Sequence, residues 1–394
     1  MSVARYRAEC LTPVLVGDGS ALSPIDYMVW KDQVNVLDQR RIFKLLAKGS
    51  RLDGYLSQVK RAERLDFASW GGFAQNFAER RIPFEDPSCT EHWNRLRAED
   101  CFIPTFARQL GGPFLPGSAI RGALRTTMVA AGLQKKGIAT VETLAGSGGG
   151  TRRRLGEAVE QKVMGGAAGP AGLDPMKALA IGDSSQPGDG GKFRVYMVRT
   201  ATLVEGKGQG GRLGLGWKHS MRGTVDASRV SEAGAIFAEM ADPGLTFEGP
   251  WTERGFYESG DTVRSLGWKE GYSRERLFEA ANQYAETALA HHRGFAELTG
   301  LARLSECLET VQGKVEAARA QGNACVLSVG WGGGMLGKTA WPQVGDATFR
   351  KILSEHPFYS RAIRSGMPFP KTRRVVFQGK EPAALPGWIW LELE

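Results

Sequence analysis

The sequence lacks several features that define large classes of protein. It has no run of eighteen or more apolar residues, so it predicts no membrane-spanning helix and no membrane partner. Its N-terminal residues show neither the apolar core nor the cleavage site of a signal peptide, so we expect a cytoplasmic protein. Only five cysteines occur among 394 residues, and no two of them form a C-x-x-C pair. An odd number at wide spacing favours reduced thiols over a disulfide framework.

Metal ligands and catalytic groups are also scarce. Cys89, His92 and Cys101 would supply three zinc ligands, but no fourth ligand lies nearby, and two ordinary thiols with a surface imidazole are the alternative. His291 and His292 close a predicted helix, where we interpret them as surface residues. We therefore expect no metal, no cofactor and no catalytic residue.

Positive charge, in contrast, is plentiful. Lysine and arginine outnumber the acids by 51 to 42, and the isoelectric point is about 9.3. Residues 105–136 and 361–374 contain several basic residues and no acid, and residues 192–222 contain a single acid among seven basic residues and three aromatics. Positive charge for phosphates, rings for bases and glycine for close backbone approach are typical of a nucleic-acid groove. A solvated basic surface is the alternative for any one stretch.

The pattern of apolar residues predicts a mixed α+β chain. Strands are expected over residues 5–17 and 192–205, and a helix over 38–49 with Asp38 as its N-cap. A second helix is expected over 118–133, from Ser118 as N-cap to Gly132 as its end.

The same pattern suggests two domains, residues 1–185 and 186–394. The first would carry a glycine-rich insertion at 145–172, and the second a helical insertion at 273–320 with a break near Gly294. The second would also carry a glycine-rich loop at 330–339.

That loop contains G-G-G-M-L-G-K-T, which matches the nucleotide-binding pattern G-x-x-x-x-G-K-[ST]. Three features oppose a triphosphate site. Pro342 would disrupt the helix that a phosphate loop opens, no later apolar run ends in a magnesium-binding aspartate, and too few residues follow for further β-α units. The loop amides and Lys338 would instead contact a phosphodiester backbone. A second glycine motif, G-K-G-Q-G-G at 206–211, is expected at a hairpin tip.

Four segments resemble the RAMP superfamily of CRISPR effector proteins. They are LTPVLVGDGSALSPIDYM, PFLPGSAIRGALRTTM, LAIGDSS and GWGGGMLGKT, and they spread over nearly the whole chain. Their order and spacing are most similar to those of the fifth subunits of type III-A (Csm) interference complexes. The resemblance implies two ferredoxin-like, RNA-recognition-type domains.

The resemblance also implies a structural role in a ribonucleoprotein. Such a subunit caps the backbone filament at the 3′ part of the guide (CRISPR) RNA, contacts the neighbouring Csm backbone and small subunits, and assists guide maturation, with host nucleases recruited to it. The residues that we expect to contact RNA are Ser118, Arg121, Arg125, Gly332, Gly333, Gly334, Lys338, Arg373 and Arg374.

Two functions from other classes remain as alternatives. Cleaving relatives in the superfamily carry an aspartate in an early loop, so Asp18 or Asp26 would serve a metal-dependent RNA endonuclease. Each aspartate also fits a turn, in which its side chain bonds nearby backbone. A P-loop NTPase is the second alternative, and nucleotide titration separates it from both RNA-binding functions.

Overall fold

The computed structural model describes residues 2–49, 51–61, 65, 76–147, 155–165, 174–187, 192–205, 213–219, 226–271, 273–355, 359–360, 363 and 367–394. Half of the predicted insertion at 145–172 and the whole segment at 206–211 lie outside these residues. The helices of the described part are α1 (Gln39–Leu46), α2 (Leu52–Arg61), α3 (Ser88–Asn94), α4 (Gly117–Lys136), α5 (Ala139–Ser147), α6 (Leu155–Met164), α7 (Gly260–Ser265), α8 (Arg274–Thr299), α9 (Ala302–Gln321) and α10 (Ala347–Ser354).

The strands of the described part form antiparallel sheets. Their bounds are β1 (Ser2–Cys10), β2 (Ala21–Leu22), β3 (Tyr27–Trp30), β4 (Gln33–Leu37), β5 (Ala78–Pro83), β6 (Ile103–Pro104), β7 (Arg108–Gln109), β8 (Gly112–Pro113), β9 (Leu179–Ile181), β10 (Phe193–Glu205), β11 (Leu213–Lys218), β12 (Asp226–Ala227), β13 (Ala235–Ala241), β14 (Thr246–Glu253), β15 (Ala324–Ser328), β16 (Thr372–Gln378), β17 (Glu381–Ala384) and β18 (Trp388–Leu393). The mixed α+β class predicted from the sequence is confirmed.

The first large sheet joins distant parts of the chain. Its strand order is β15-β18-β1-β14-β9, and every neighbouring pair is antiparallel. Ala8 of β1 lies between Phe247 of β14 and Leu391 of β18. The helix α4 lies between β1 and β9 in the chain, and α8 lies between β14 and β18. Strands from both sides of residue 185 share this sheet, and the division of the chain at that residue stays a prediction.

The second large sheet is built around β10. This strand pairs with β13 and then β11 along one edge, and with β16 along the other. The side chains of β10 alternate between two cores, because Val195 and Met197 pack in one cluster while Tyr196 and Val198 pack in the other. The predicted strand over 192–205 is therefore confirmed, and it is buried on both faces.

The two long helices α8 and α9 confirm the predicted helical stretch but shift its break. Ser273 caps the start of α8, and the helix continues through Gly294 to end at Gly300, which has a φ of 68°. Glycine adopts this left-handed conformation without the strain that a side chain would bring, whereas Gly294 is an ordinary helical position. Consequently His291 and His292 lie inside α8, and His292 is buried. The prediction that both are surface residues at a helix end is wrong.

Helix α1 shows why some boundaries were predictable. Asp38 accepts a hydrogen bond from the backbone N–H of Arg41 at 2.9 Å, which is the predicted N-cap. The first strand, in contrast, ends at Cys10 and does not reach residue 17. No helix among the described residues is both long and apolar enough to traverse a bilayer.

Candidate nucleic-acid interface

The glycine-rich loop lies between two clefts. One, the loop–helix cleft, measures about 720 Å³ and lies between residues 15–21, the start of α4 and the loop. The other, the loop–sheet cleft, measures about 780 Å³ and lies between the loop and strands of the second sheet. Both clefts are lined by Ser328, Gly333 and Lys338. The two clefts therefore adjoin, and together they form one groove. Within the described part of the chain, no aspartate or glutamate lines either cleft.

The loop conformation depends on glycine. Gly332 and Gly334 have φ values of 99° and 61°, in the left-handed region that disfavours side chains. At Gly330, with a φ of 69°, a Cβ would also lie 2.2 Å from the carbonyl oxygen of Leu15. The loop can therefore approach the early segment only because this position lacks a side chain.

The loop leaves a run of backbone amides without protein acceptors. Trp331 donates its N–H to the carbonyl of Leu15 at 2.8 Å. Across the described residues, no acceptor is found for the N–H groups of residues 332–336. Successive amides without an acceptor, two of them at left-handed glycines, are typical of a concave site for anions. Gly332, Gly333 and Gly334 line the loop–sheet cleft, and their contact with phosphate stays a prediction.

Two side chains of α8 hold the loop in place. Asn282 is buried, and its side-chain amide bonds the backbone of β15 as a neighbouring strand would. Its Nδ2 donates to the carbonyl of Ala324 at 3.2 Å, and its Oδ1 accepts from the N–H of Val326 at 3.0 Å. These bonds satisfy the outer edge of β15, the strand that leads into the loop. The hydroxyl of Tyr284 lies 2.8 Å from the carbonyl oxygens of Leu336 and Thr339. Asn282 thus anchors the strand before the loop, and Tyr284 anchors the loop itself.

The surroundings of the loop differ from those of a phosphate loop. Residues 334–338 form turns, and the next helix, α10, begins only at Ala347. The hydroxyl of Thr339, which would hold magnesium, accepts the backbone N–H of Trp341 at 3.1 Å. Lys338 is exposed and has no carboxylate within ion-pair distance among the described residues. The described part of the loop thus offers amides and one cation, without the helix N-terminus that a triphosphate requires.

The start of α4 corrects the prediction for Ser118. The helix begins at Gly117 after Pro116, and Ser118 is an exposed residue of its first turn whose side chain caps nothing. Asp183 accepts the N–H of Gly117 at 2.9 Å and thereby occupies the first helix amide. A Cβ at position 117 would lie 2.4 Å from the carbonyl oxygen of Ile181, which explains the glycine. Ser118 nevertheless lines the loop–helix cleft.

The predicted end of this helix at Gly132 is also wrong. The helix runs to Lys136, and at position 132 a Cβ would lie 2.2 Å from Cγ1 of Val163 in α6. Gly132 therefore allows two helices to approach closely and does not end one.

Arg121 and Arg125 do not line the groove. The Nη1 of Arg125 lies 2.7 Å from Asp174, and its Nη2 lies 2.7 Å from Glu160. Burial opposes the ionisation of Asp174, but the hydrogen bonds from Arg125 outweigh it and lower the pKa of the carboxyl group. The two carboxylates balance the charge of Arg125, which joins α4 to α6. Arg121 is half-buried, and its Nε has no hydrogen-bond partner among the described residues.

The neighbouring arginines of β16 have different roles. Arg373 is buried: its Nε donates to Nδ1 of His292 at 2.8 Å, and its Nη1 donates to the carbonyls of Pro370 and Thr372. Burial lowers the pKa of Arg373 to about 9. It therefore supports the wall of the loop–sheet cleft from within. Arg374 is half-buried, lines the same cleft and lies over the ring of Trp331.

The second sheet adds residues that the sequence did not single out. Arg374 of β16 lies opposite Thr200 of β10, and Lys218 of β11 lines the same cleft. Lys371, just before β16, lines it as well. The basic stretches 192–222 and 361–374 already indicated a positively charged surface. Only the pairing of β10 with β11 and β16 shows which of their side chains lie on one face.

The early aspartates take part in local turns. Asp18 accepts the N–H of Ser20 at 2.9 Å, a bond that lowers the pKa of its carboxyl group. Asp26 accepts the N–H of Ser23 at 2.7 Å. In both cases the aspartate side chain bonds nearby backbone, as the turn interpretation predicted.

The cysteines and histidine considered for zinc make other contacts. His92 Nδ1 lies 3.3 Å from Nη2 of Arg199, and the Cys101 thiol donates to the carbonyl of Arg97 at 3.2 Å. Within the described ranges, no three histidine, cysteine, aspartate or glutamate residues are grouped to hold a metal ion.

Comparisons with known proteins agree with this architecture. No curated protein matches the sequence. A solved chain from the cryo-EM structure of a Csm-crRNA-target RNA ternary complex in a type III-A CRISPR-Cas system is 19% identical, with a TM-score of 0.65 and full coverage of both chains. The crystal structure of T. onnurineus Csm5 is 17% identical, with a TM-score of 0.60, over 97% of this chain and 99% of that one. The chain thus shares its fold with these proteins along almost its whole length. The RAMP superfamily model matches residues 7–249, more than half of the sequence, and the chain belongs to this superfamily.

Proposed function

We propose that the chain is a non-catalytic RNA-binding subunit of a type III-A CRISPR ribonucleoprotein. The observation that carries the proposal is the acid-free groove on both sides of the glycine-rich loop. Free amides, Lys338 and Arg374 offer contacts to phosphates, while the small residues of the loop–helix cleft let a nucleic-acid backbone come close. None of these contacts identifies a base, so binding depends on charge and shape.

The comparisons support the finer assignment. One similar chain comes from a complex that contains crRNA and target RNA, and another is a Csm5. In this proposal the chain caps the backbone filament at the 3′ part of the guide RNA, contacts the neighbouring backbone and small subunits, and assists guide maturation and assembly, with recruited host nucleases. The order β18-β1-β14-β9 with crossover helices α4 and α8 is that of a ferredoxin-like domain, which supports the proposed domain type.

The groove is tested by assembly with partners. The wild type and Lys338→Glu are each co-expressed with candidate Csm subunits and a guide array, and the co-purified RNA is quantified and sequenced. We expect wild-type complexes to retain guide RNA and the variant to retain less, because a reversed charge repels phosphate. Lys44→Glu on the exposed face of α1 is the matched control. Equal RNA retention by both variants in intact complexes contradicts the proposed groove.

The non-catalytic role is tested separately. Complexes with Asp18→Ala or Asp26→Ala are incubated with labelled target RNA and Mg²⁺. We expect an unchanged set of cleavage products, since each carboxylate bonds its own turn. Loss of one product with assembly preserved would place the chain in the nuclease class.

A further inference from the structure

The two clefts of the groove differ in their aromatic content. In the loop–helix cleft, Trp331 is the single aromatic lining residue within the described part of the chain, and most of the others are small. The loop–sheet cleft is lined by Tyr359 and Phe369, whose ring centroids are 5.8 Å apart at an interplanar angle of 83°. Both rings are partly buried and lie at the edge of a cluster of apolar side chains. The two residues thus pack on this cluster and also border the cleft.

The loop–sheet cleft also collects cations and hydroxyl groups. Lys338, Lys371 and Arg374 line it, together with Thr200 and Thr372. Cations bind the phosphate of a nucleotide, whereas aromatic rings bind the face of its base. A cleft that contains two rings and three cations fits a whole nucleotide, whereas most of the residues that line the loop–helix cleft are small.

The size of the cleft limits what can enter it. Its volume of about 780 Å³ falls within the range of about 300–1,000 Å³ that is common for small-molecule sites. Bases in a duplex are stacked and paired, so their faces are not accessible to a protein ring, whereas unstacked bases of single-stranded RNA are accessible. We infer that the loop–sheet cleft binds one unstacked nucleotide of a single-stranded RNA, with its base against Phe369 and Tyr359 and its phosphate at the basic residues.

This inference rests on the proposed RNA-binding function and extends it. Because every base presents a similar face, stacking on the two rings gives affinity with little sequence preference. The site would fix the position of the RNA along the groove, which phosphate contacts alone do not fix.

The test uses the full-length chain and short oligouridines that carry one 2-aminopurine, placed at each position in turn. Stacking on a protein ring quenches the fluorescence of this base. We expect quenching at one position for the wild type, and loss of that quenching with about tenfold weaker binding for Phe369→Leu. Phe256→Leu removes an exposed aromatic that lines neither cleft and should behave like the wild type.

A second measurement does not depend on the folding of any variant. The same oligonucleotide is made with an abasic unit at the quenched position and titrated into the wild type. Binding should weaken about tenfold, and Phe369→Leu should cause little further loss with the abasic RNA. If Phe369→Leu weakens the binding of intact and abasic RNA by the same factor, Phe369 serves only in packing. That result would overturn the inference.

The remaining outcomes separate the two proposals. Salt-dependent RNA binding without quenching at any position refutes the nucleotide site and leaves the RNA-binding function standing. Absence of RNA binding by the folded wild type refutes the function itself. Binding of free AMP more tightly than the oligonucleotide assigns the cleft to a mononucleotide and overturns the assignment to RNA.

Discussion

The Cζ atom of Arg374 lies 4.5 Å from the centroid of the Trp331 ring. This contact joins β16 of the second sheet to the glycine-rich loop that follows β15 of the first. It also holds a cation beside the groove, and no carboxylate of the described residues forms an ion pair with it. Arg374 is half-buried, and this burial lowers the pKa of its guanidinium. A phosphate that approaches the loop therefore meets a cation that is already oriented.

Substitution of Lys338 by alanine should weaken RNA binding modestly. The exposed ammonium group contributes one phosphate contact, so the slope of log affinity against log salt should fall by about one unit. Filter binding at several salt concentrations measures this slope, and Lys44→Ala is the matched control. No ATP hydrolysis should be lost, and measurable hydrolysis by the wild type that vanishes in the variant would instead support the NTPase.

Substitution of Arg125 by methionine should destabilise the chain without affecting RNA binding. The change leaves Glu160 and Asp174 without their shared partner, and we expect the free energy of unfolding to fall by about 2 kcal/mol. Urea unfolding measures the loss. Arg121→Met on the same helix breaks no ion pair in the described part of the chain, so it should lower the free energy of unfolding by less. A folded Arg125→Met protein with strongly reduced RNA affinity would show that the arginine contacts RNA after all.

Replacement of Asn282 by leucine should loosen the strand that carries the loop. The new side chain has a similar size but leaves the N–H of Val326 and the carbonyl of Ala324 unpaired in the core. We expect the free energy of unfolding to fall by about 3 kcal/mol. Gln283→Leu, one residue further along α8 and exposed, is the control. Hydrogen exchange should become faster at β15 in Asn282→Leu, and unchanged exchange there would contradict the assigned role.

His292 should make stability depend on pH. Burial, with the nearby charge of Arg373, holds the pKa of this histidine well below its usual value of 6.5. As the pH falls below about 6.5, the unfolded chain binds a proton that the folded chain does not, so the folded state loses stability. This group should contribute a loss of about 2 kcal/mol between about pH 7 and about pH 5.

His292→Gln keeps an acceptor for Arg373 but cannot titrate. Its unfolding free energy should therefore fall less steeply over the same pH range. Urea unfolding at a series of pH values measures the slope, with exposed His219→Gln as the control. Identical slopes for the wild type and His292→Gln would contradict the assignment.

Local patterns predicted the parts of the fold that local interactions decide. Asp38 caps α1 as expected, because a side chain three residues before an amide can reach it wherever the helix lies. The helical stretch predicted over 273–320 also forms, and Leu277, Ala281, Leu304 and Leu308 of its two helices are buried. The contiguous glycine-rich motif forms a loop, and it and Lys338 line the groove, while their contact with RNA stays a prediction.

The errors arose where a distant residue decides the outcome. Ser118 fails as an N-cap because Asp183, far along the chain, takes the first helix amide. Gly132 allows close contact with Val163, and His292 lies in the core as the partner of Arg373. Arg373 and Arg374 are adjacent in sequence and both border the loop–sheet cleft, yet Arg373 is buried with His292 whereas Arg374 is half-buried over Trp331, because strand side chains alternate between faces. None of these partners can be identified from spacing alone.

The position of β1 has a consequence for how the protein forms in the cell. Its edge pairs with β18, and the side chain of Arg7 reaches Glu392 at 2.9 Å. During synthesis β1 therefore leaves the ribosome long before β18 is made. Contacts between residues so far apart in the sequence form slowly. During that interval the exposed edge of β1 can pair with other nascent chains. Premature termination before Trp388 would make this exposure permanent, so truncated chains should aggregate even though most of the groove residues have been synthesised.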